Sequence, residues 1–180
     1  NLSISYTSND NGECAITVTA DDSSGSTLDE SFTVTVNPVN DPVTLTAGID
    51  DYTVEEDGAS TSVADLDDVF DDIDLLNGAD EHLQTLSYSV VGNTNSDLCS
   101  IGIDADGNLS VSYAADGNGE CNITVKADDS TGSTLEESFE VTVTPVNDEP
   151  SFTEGSSITV DEDSGQYSAQ WATDISRGPS

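Results

Sequence analysis

The fold of this chain is decided by residues 119–144, which read GECNITVKADDSTGSTLEESFEVTVT. Apolar residues occupy every second position on both sides of a segment of small and polar residues. This spacing places them on one face of a pleated strand, and the segment between the two runs favours a turn. The stretch therefore predicts a β-hairpin with one apolar face. The alternating residues are Ile123, Val125, Ala127, Phe139, Val141 and Val143.

The same hairpin occurs twice in the chain. Residues 1–41 align with residues 108–148 at an offset of 107, and 30 of the 41 positions are identical. A period of this length is too long for one turn of a solenoid, but it matches one small β-sandwich domain. We therefore expect a tandem array. Its parts are residues 1–39 as the C-terminal part of a first repeat, residues 40–146 as a complete repeat, and residues 147–180 as the N-terminal part of a third repeat.

The complete repeat is predicted to be all-β. Alternating apolar residues and turn residues mark seven strands, in the manner of an immunoglobulin-like β-sandwich. The acidic segment 65–76 carries scattered apolar residues, and we interpret it as a loop, with one helical turn as the alternative. The predicted strands are 43–46 with 50–55 (A, interrupted), 60–66 (B), 84–91 (C), 97–103 (D), 108–113 (E), 120–127 (F) and 134–144 (G).

The charge balance excludes several classes of partner. The chain has 37 Asp and Glu residues against two Lys and Arg, which is a net charge of −35. Such a chain cannot neutralise phosphates, and an anionic membrane surface repels it, so nucleic-acid binding and membrane insertion are not expected. Strong acidity can also indicate disorder, but the strict alternation of apolar residues argues for a folded chain. Cationic partners are favoured.

The predicted strand connections bring acidic residues to both ends of the complete repeat. We call the end at which the chain enters the repeat the top and the opposite end the bottom. The entry linker and the loops after strands B and F meet at the top, and the loops after strands A and E meet the exit linker at the bottom. The residues expected at the top are Asn40, Asp41, Asp72, Asp74 and Asp129, and those expected at the bottom are Glu56, Asp116, Asn147 and Asp148.

A calcium ion is the simplest partner for such clusters. Carboxylates held close together raise one another's pKa and oppose the compact state unless a cation neutralises them. Calcium takes six to eight oxygen ligands at about 2.3–2.6 Å. Softer metals prefer histidine and cysteine ligands, and this chain has a single histidine and no C-x-x-C motif among its three cysteines. The alternative is a salt-adapted protein whose surface acids hold no ion, but the placement of the acids at domain ends favours calcium.

The two linkers carry a family resemblance. Residues 39–42 read VNDP and residues 146–150 read VNDEP, which resemble the V-N-D-x-P junction of bacterial cadherin-like tandem repeats in very large surface proteins and adhesins. Within that pattern, Glu56 is similar to the glutamate that ends strand A, residues 72–74 resemble the D-x-D motif, and Asp129 resembles the aspartate of A-x-D. The resemblance implies that these residues bind Ca²⁺ between successive domains and stiffen the array.

The chain also departs from the cadherin pattern. It has no L-D-R-E segment, and only Asp116 stands roughly where that segment is expected. Its linkers are shorter than the D-x-N-D-N linker of animal cadherins, so we expect one or two ions per junction rather than three. Residues 171–175 do not match the D-x-D motif, which indicates that the third repeat is of a related but distinct subtype.

The cysteines predict an oxidising compartment. Cys99 and Cys121 flank strands D to F, and a disulfide between them would close a loop of about 23 residues and stabilise the repeat by roughly 3 kcal/mol. Two buried thiols are the alternative. Cys14 aligns with Cys121, and its own counterpart would precede residue 1, so we expect it to be unpaired. A disulfide favours an extracellular or cell-surface location.

The function expected from these features is structural rather than enzymatic. No catalytic motif is recognisable, and we interpret Asp80, Glu81 and His82 as part of a solvated loop. The leading hypothesis is a calcium-rigidified extracellular spacer or adhesion repeat whose partners are calcium ions and neighbouring repeats. The alternatives are a sandwich module that binds cell-surface or matrix glycan, protein or copies of itself, and an accessory region of a secreted enzyme. The aromatic residues occupy alternating positions typical of a core, which weakens the glycan alternative.

Overall fold

The computed structural model describes residues 1–75 and 84–178 of the 180-residue chain. It is nearly all β, which confirms the predicted fold class. The expected loop at residues 80–82 lies outside the described residues. None of the described helices is long and apolar enough to cross a membrane. The strands are β1 (Gly12–Asp21), β2 (Thr27–Val36), β3 (Thr44–Leu45), β4 (Tyr52–Glu55), β5 (Thr61–Asp65), β6 (Phe70–Asp71), β7 (Ser87–Asn93), β8 (Cys99–Ile103), β9 (Asn108–Tyr113), β10 (Gly119–Asp128), β11 (Thr134–Thr144), β12 (Ser151–Thr153) and β13 (Thr173–Ser176).

The strands from β3 to β11 form a sandwich whose described residues share one core. One sheet has the strand order β4-β11-β10-β7, with β4 parallel to β11 and the other pairs antiparallel. The other side of the core consists of the sheet β5-β9-β8 and the short pair β3-β6. Both sides contribute side chains that are almost completely buried, so removing either side would expose the core. The largest of them are Phe70, Phe139, Leu66, Leu109, Ile123, Val111, Val125 and Val141.

The interruption predicted in strand A divides it between the two sides of the sandwich. The first piece, β3, pairs with β6, whereas the second piece, β4, pairs with β11. Strands β9 and β11 have the predicted bounds, and strand C is displaced, because β7 begins at Ser87 rather than at residue 84. Gln84 lies before that strand, where its side chain bonds the entry linker.

The prediction of a loop over residues 65–76 is wrong in part. Leu66–Val69 forms one turn of α-helix, α1, and Ile73–Leu75 forms one 3₁₀ turn. The helical turn begins at Asp65, whose side chain accepts a hydrogen bond from the backbone N–H of Asp67 and so acts as the N-cap. Leu66 and Val69 are three residues apart, which places both on one face, and both are buried in the core. Burial of these two side chains in the core therefore favours a helical turn over an irregular loop at residues 66–69.

The hairpins β1-β2 and β10-β11 have the same register. In the second, Gly119 pairs with Val143 and Asp128 pairs with Thr134, and in the first every pair occurs 107 positions earlier. The disulfide between Cys99 and Cys121 is present and joins β8 to β10 across the sandwich, while Cys14 on β1 is exposed and free. The predicted pairing of the cysteines is therefore confirmed.

Candidate metal centres at the ends of the sandwich

Two aspartates at the top of the sandwich are almost completely buried. Asp72 directly follows β6 and is 0% exposed, and Asp129 directly follows β10 and is 1% exposed. Strands β6 and β10 both end at the top, so their following residues converge there. Carboxylates are seldom buried without a partner, because the charged form loses its hydration.

Asp129 is well supplied with hydrogen-bond donors. Its Oδ1 accepts from the backbone N–H groups of Thr131, Gly132 and Ser133 at 2.8, 2.9 and 2.9 Å. Its Oδ2 accepts from the side-chain amide of Asn40 at 3.1 Å. Burial raises the pKa of Asp129, but these hydrogen bonds to the charged form outweigh burial and lower its pKa to about 2. Asp129 therefore carries a full negative charge at neutral pH.

The entry linker is held by the same cluster. Asp74 Oδ2 accepts the backbone N–H of Asp41 at 2.8 Å and the side-chain amide of Gln84 at 3.4 Å. The same Gln84 amide donates to Asn40 Oδ1 at 2.7 Å, and the Thr131 hydroxyl also bonds that oxygen. The linker thus lies against the carboxylates, with the side-chain oxygen of Asn40 facing the polar end of the sandwich.

Asp72 has an oxygen without a donor. Its Oδ1 accepts the backbone N–H of Asp74 at 2.9 Å, whereas its Oδ2 is buried and accepts no hydrogen bond. Burial raises the pKa of Asp72, and the nearby charges of Asp74, Asp129 and Asp41 raise it further. A buried carboxylate oxygen without a donor costs free energy that a bound cation would recover.

The bottom of the sandwich has a second buried acid. Glu56 directly follows β4 and is 3% exposed. Its Oε1 accepts the backbone N–H of Val146 at 2.8 Å, which ties the exit linker to the end of strand A. Its Oε2 is buried and accepts no hydrogen bond. The bottom therefore repeats the chemistry of Asp72 at the top.

Three further aspartates meet beside Glu56. One carboxylate oxygen from each of Asp57, Asp116 and Asp148 lies within 4.8 Å of the other two. The backbone N–H of Asp116 donates to Asp57 Oδ1 at 3.2 Å, and both residues have a positive φ, 61° at Asp57 and 55° at Asp116. Asp148 Oδ2 is buried without a donor. Burial raises the pKa of Asp148, and the nearby charges of Asp116, Asp57 and Glu56 raise it further.

The residues expected from the sequence thus fall into two groups, with one exception. The structure brings together Asn40, Asp41, Asp72, Asp74 and Asp129 at the top and Glu56, Asp116 and Asp148 at the bottom. Asn147 is exposed, and its amide donates to the backbone carbonyl oxygen of Asp148 rather than to a carboxylate.

Sequence reasoning assigned no ligand role to Asp57, Gln84 or Thr131. Asp57 follows the motif glutamate directly and adopts a left-handed backbone conformation, which aspartate tolerates better than most residues and which turns the chain toward the exit linker. The signal in the sequence that could have identified Asp57 as a ligand is its position directly after Glu56, at a turn. Gln84 and Thr131 carry no such signal, because their contacts depend on how distant loops pack.

The donor sets have the character of sites for a hard divalent cation. Every candidate ligand atom is an oxygen, and the two basic side chains of the chain, Lys126 and Arg177, cannot balance 37 acids. Among the described residues the one salt bridge joins Lys126 to Asp128 at 3.4 Å, on the partly exposed face of β10. At both ends of the sandwich, buried carboxylate oxygens that accept no hydrogen bond lie beside a linker. They therefore fit a cation such as Ca²⁺.

Solved structures with a similar fold are cadherin extracellular domains. The chain has a cadherin-like fold. It aligns with protocadherin gamma B2 extracellular cadherin domains 1–5 at a TM-score of 0.54 and 17% identity, over 92% of this chain and 31% of that one. The protocadherin gammaB7 EC3–6 cis-dimer structure aligns at 0.54 and 19%, over 85% and 37% of the two chains. Protocadherin gamma B7 extracellular cadherin domains 1–4 align at 0.53 and 18%, over 90% and 39%.

This similarity concerns the fold. The cadherin-like chain spans between 31% and 39% of the length of these three structures. No protein-family model matches it, and no curated protein matches it. What the acidic ends of this cadherin-like sandwich do must therefore be argued from their own geometry.

Proposed function

We propose that this chain is a calcium-rigidified extracellular spacer or adhesion repeat of a large bacterial surface or secreted protein. The observation that carries the proposal is the set of buried carboxylate oxygens without a donor: Asp72 Oδ2 at the top, and Glu56 Oε2 and Asp148 Oδ2 at the bottom. Acids buried in this way are unfavourable in the ion-free chain, and a divalent cation would supply the charge that they lack.

The proposed ligands come from the linkers and from the loops of the sandwich. At the top they are the carboxylates of Asp41, Asp72, Asp74 and Asp129 and the side-chain oxygen of Asn40. At the bottom they are the carboxylates of Glu56, Asp57, Asp116 and Asp148, with Asn147 as an adjacent oxygen donor. Calcium suits such sets because it accepts six to eight oxygens in flexible arrangements, and extracellular modules bind it with dissociation constants of roughly 10⁻⁴ to 10⁻³ M.

Binding would restrict the linkers. Each proposed site combines residues of the sandwich with residues of a linker, so one ion contacts both, and moving the linker would break ligand bonds. The hydrogen bonds of Asn40 to Asp129 and of Val146 to Glu56 already hold the linkers in the position where the ion would bind. In the proposed tandem array of residues 1–39, 40–146 and 147–180, this restriction would set the angle between neighbouring repeats.

The first linker faces a loop of the preceding segment. An open cleft of about 350 Å³ lies between residues 6–11 and the linker, and its lining includes Asp10, Asp41 and Asp74. The cleft supports a junction in which both neighbouring segments approach the top acids. An extracellular location is supported by the disulfide between Cys99 and Cys121, because disulfides persist in oxidising compartments.

An anomalous difference map tests the proposal directly. Crystals of the full chain grown with calcium chloride should show calcium peaks at both ends of the sandwich, and crystals grown with EGTA should show none. The Asp72→Asn variant is the matched control, because it should lose or weaken the top peak and keep the bottom peak. Calcium crystals without a peak at either end would contradict the proposal.

A further inference from the structure

Gln84 places an amide group among the oxygens of the top site. It lies just before β7, and its Nε2 is 2.7 Å from Asn40 Oδ1 and 3.4 Å from Asp74 Oδ2. Both of these oxygens belong to side chains that the proposed function assigns to calcium. Gln84 has no role in that assignment, although its amide contacts the entry linker and the turn after β6 at the same time.

The orientation of the Gln84 amide follows from these neighbours. Asn40 Oδ1 and Asp74 Oδ2 are acceptors, so in the ion-free chain the NH₂ end of the amide is the end that can face them. The other end, Oε1, is buried and accepts no hydrogen bond. The ion-free orientation therefore satisfies the nitrogen but leaves the oxygen without a donor, which costs free energy.

A cation in the top site would reverse this preference. Oε1 and Nε2 are bonded to the same carbon, and a half-turn about the Cγ–Cδ bond exchanges their positions. The carbonyl oxygen would then stand where Nε2 stands now, beside Asn40 and Asp74. Two acceptors repel an oxygen at that position when no ion is present, whereas a divalent cation bound by the same acceptors attracts it.

The spacing of the atoms fits a ligand at that position. When six to eight oxygens surround a calcium ion at about 2.3–2.6 Å, neighbouring oxygens of the shell lie roughly 2.7–3.7 Å apart. The Nε2 position is 2.7 and 3.4 Å from two proposed ligand oxygens, which is within that range. An oxygen placed there could therefore share one ion with Asn40 and Asp74.

A neutral ligand also suits the charges at the top. The proposed site already contains four carboxylates, and a fifth would increase their mutual repulsion. Asp72 is 0% exposed, and its Oδ2 accepts no hydrogen bond, whereas its Oδ1 and Oδ1 of Asp129 accept backbone N–H groups. The carbonyl oxygen of Gln84 would add a ligand beside these acids without adding charge.

We propose that Gln84 is a further calcium ligand of the top site, whose amide donates through Nε2 in the ion-free chain and coordinates through Oε1 in the bound chain. This inference rests on the proposed function, because it requires calcium at the top. In the first state the amide holds the entry linker by a hydrogen bond, and in the second the ion holds both. The ion thus joins the linker to the start of β7 as well as to the loops after β6 and β10.

Crystals of the full chain grown with calcium chloride test the ligand directly. Gln84 Oε1 should lie about 2.3–2.6 Å from the top ion, and Nε2 should have turned away from Asn40. A top ion with Gln84 outside its shell would overturn this inference and leave the proposed function intact. Calcium crystals without a top ion would contradict both.

The Gln84→Leu variant separates a ligand from a linker contact. In the ion-free chain Asn40 Oδ1 keeps its bond to the Thr131 hydroxyl, and Asp74 Oδ2 keeps the backbone N–H of Asp41. The variant should therefore melt close to the wild type in EGTA. In isothermal titration the calcium affinity of one site should fall about tenfold, and that of the other should not change.

Two further variants complete the comparison. Gln170→Leu is the matched control and should resemble the wild type in both measurements, because Gln170 is exposed and bonds the carbonyl oxygen of Ala172. Gln84→Glu replaces the donor with an acid beside Asp74, so it should melt lower in EGTA. Its carboxylate can occupy the ligand position, so it should bind calcium at least as tightly as the wild type.

Two results in solution would overturn the inference. If Gln84→Leu melted lower in EGTA and bound calcium with unchanged affinity, Gln84 would be a contact of the linker and not a ligand. Equal calcium affinities of the wild type and all three variants would also exclude a ligand role. In either case calcium binding itself would still be measured, so the proposed function would stand.

Discussion

The side-chain amide of Asn40 donates a 3.1 Å hydrogen bond to Oδ2 of Asp129, 89 residues away in the sequence. Asn40 belongs to the entry linker, and Asp129 begins the turn between β10 and β11. The bond joins the linker to an aspartate whose other oxygen is fixed by three backbone N–H groups. The linker is therefore coupled to the rigid end of the hairpin, and any ion bound by Asp129 would act on the linker as well.

Calcium should raise the melting temperature of the chain. An ion that binds only the folded form adds RT ln(1 + [L]/Kd) to the free energy of unfolding, which is about 2.7 kcal/mol per site at a hundredfold excess over Kd. For a domain of this size, that corresponds to an increase on the order of 10–20 °C. Calorimetry in calcium and in EGTA measures the difference, with magnesium at equal ionic strength as a control. Equal melting temperatures in calcium and EGTA would contradict the ion sites.

The Asp72→Asn variant should bind calcium about tenfold more weakly at the top site or lose that site. The substitution keeps the shape of the side chain but removes the charge of the oxygen that has no donor. Isothermal titration measures the affinity. Asp29→Asn is the matched control, because Asp29 is an exposed acid on β2 that contacts neither cluster. If both variants lost affinity equally, the acids would act as a diffuse field rather than as ligands.

Acidification should stabilise the calcium-free chain before it destabilises it. The pKa of Asp72 is raised above 3.8, so the charged form opposes folding at neutral pH, and this cost falls as pH decreases toward 3.8. The pKa of Asp129 is lowered to about 2, so its stabilising contribution is complete above 3.8 and is lost as pH falls toward 2. Melting temperatures in calcium-free buffer between pH 7 and pH 3 measure both effects.

The Asp72→Asn variant also serves as the control for this pH dependence. It should melt higher than the wild type in calcium-free buffer at pH 7, and its melting temperature should rise less as the pH decreases toward 3.8. Parallel curves for the two proteins would show that Asp72 does not carry the effect. In calcium the wild type should instead lose stability on acidification, because protons compete with the ion for carboxylate oxygens.

Removing the disulfide should destabilise the sandwich of β3 to β11 without affecting Cys14. The variant Cys99→Ser with Cys121→Ser loses a cross-link between residues 22 apart and should lose roughly 3 kcal/mol of free energy of unfolding. Urea denaturation measures the loss. Cys14→Ser is the control and should match the wild type, because the Cys14 side chain is exposed and forms no disulfide. Equal stability of all three proteins would contradict a structural role for the disulfide.

Calcium should stiffen the junction between repeats. Without ions the linker acids Asp41 and Asp148 lie within the roughly 8 Å Debye length of the loop acids, so salt does not remove their repulsion, and the short linkers should bend. Small-angle scattering on a polypeptide with two complete repeats should give a larger maximum dimension in calcium than in EGTA. Identical scattering in both conditions would remove the spacer mechanism and leave the fold untouched.

The sequence by itself predicted most strands of the sandwich, the equivalence of the two hairpins and the pairing of the cysteines. Apolar alternation in β9 and β11 is a local signal with a period of two residues, so those strands have the predicted bounds. The offset of 107 aligned the two hairpins position by position, and Cys99 and Cys121 were the two cysteines within one repeat. The acids were assigned to the two ends because strand order alone decides the end to which each loop belongs.

Only the tertiary structure decided which carboxylate oxygens at those ends accept hydrogen bonds and which do not. Three of the four donors to Asp129 are backbone N–H groups of the adjacent turn, but the fourth donor, Asn40, comes from a distant segment. The lack of a donor at Asp72 Oδ2 and Glu56 Oε2 likewise depends on how distant segments pack. The same holds for Asp57 beside Asp148, and for the helical turn that buries Leu66. Hydrogen-bond geometry and burial act over a few ångströms between residues that the sequence separates by up to about ninety positions, so no local pattern encodes them.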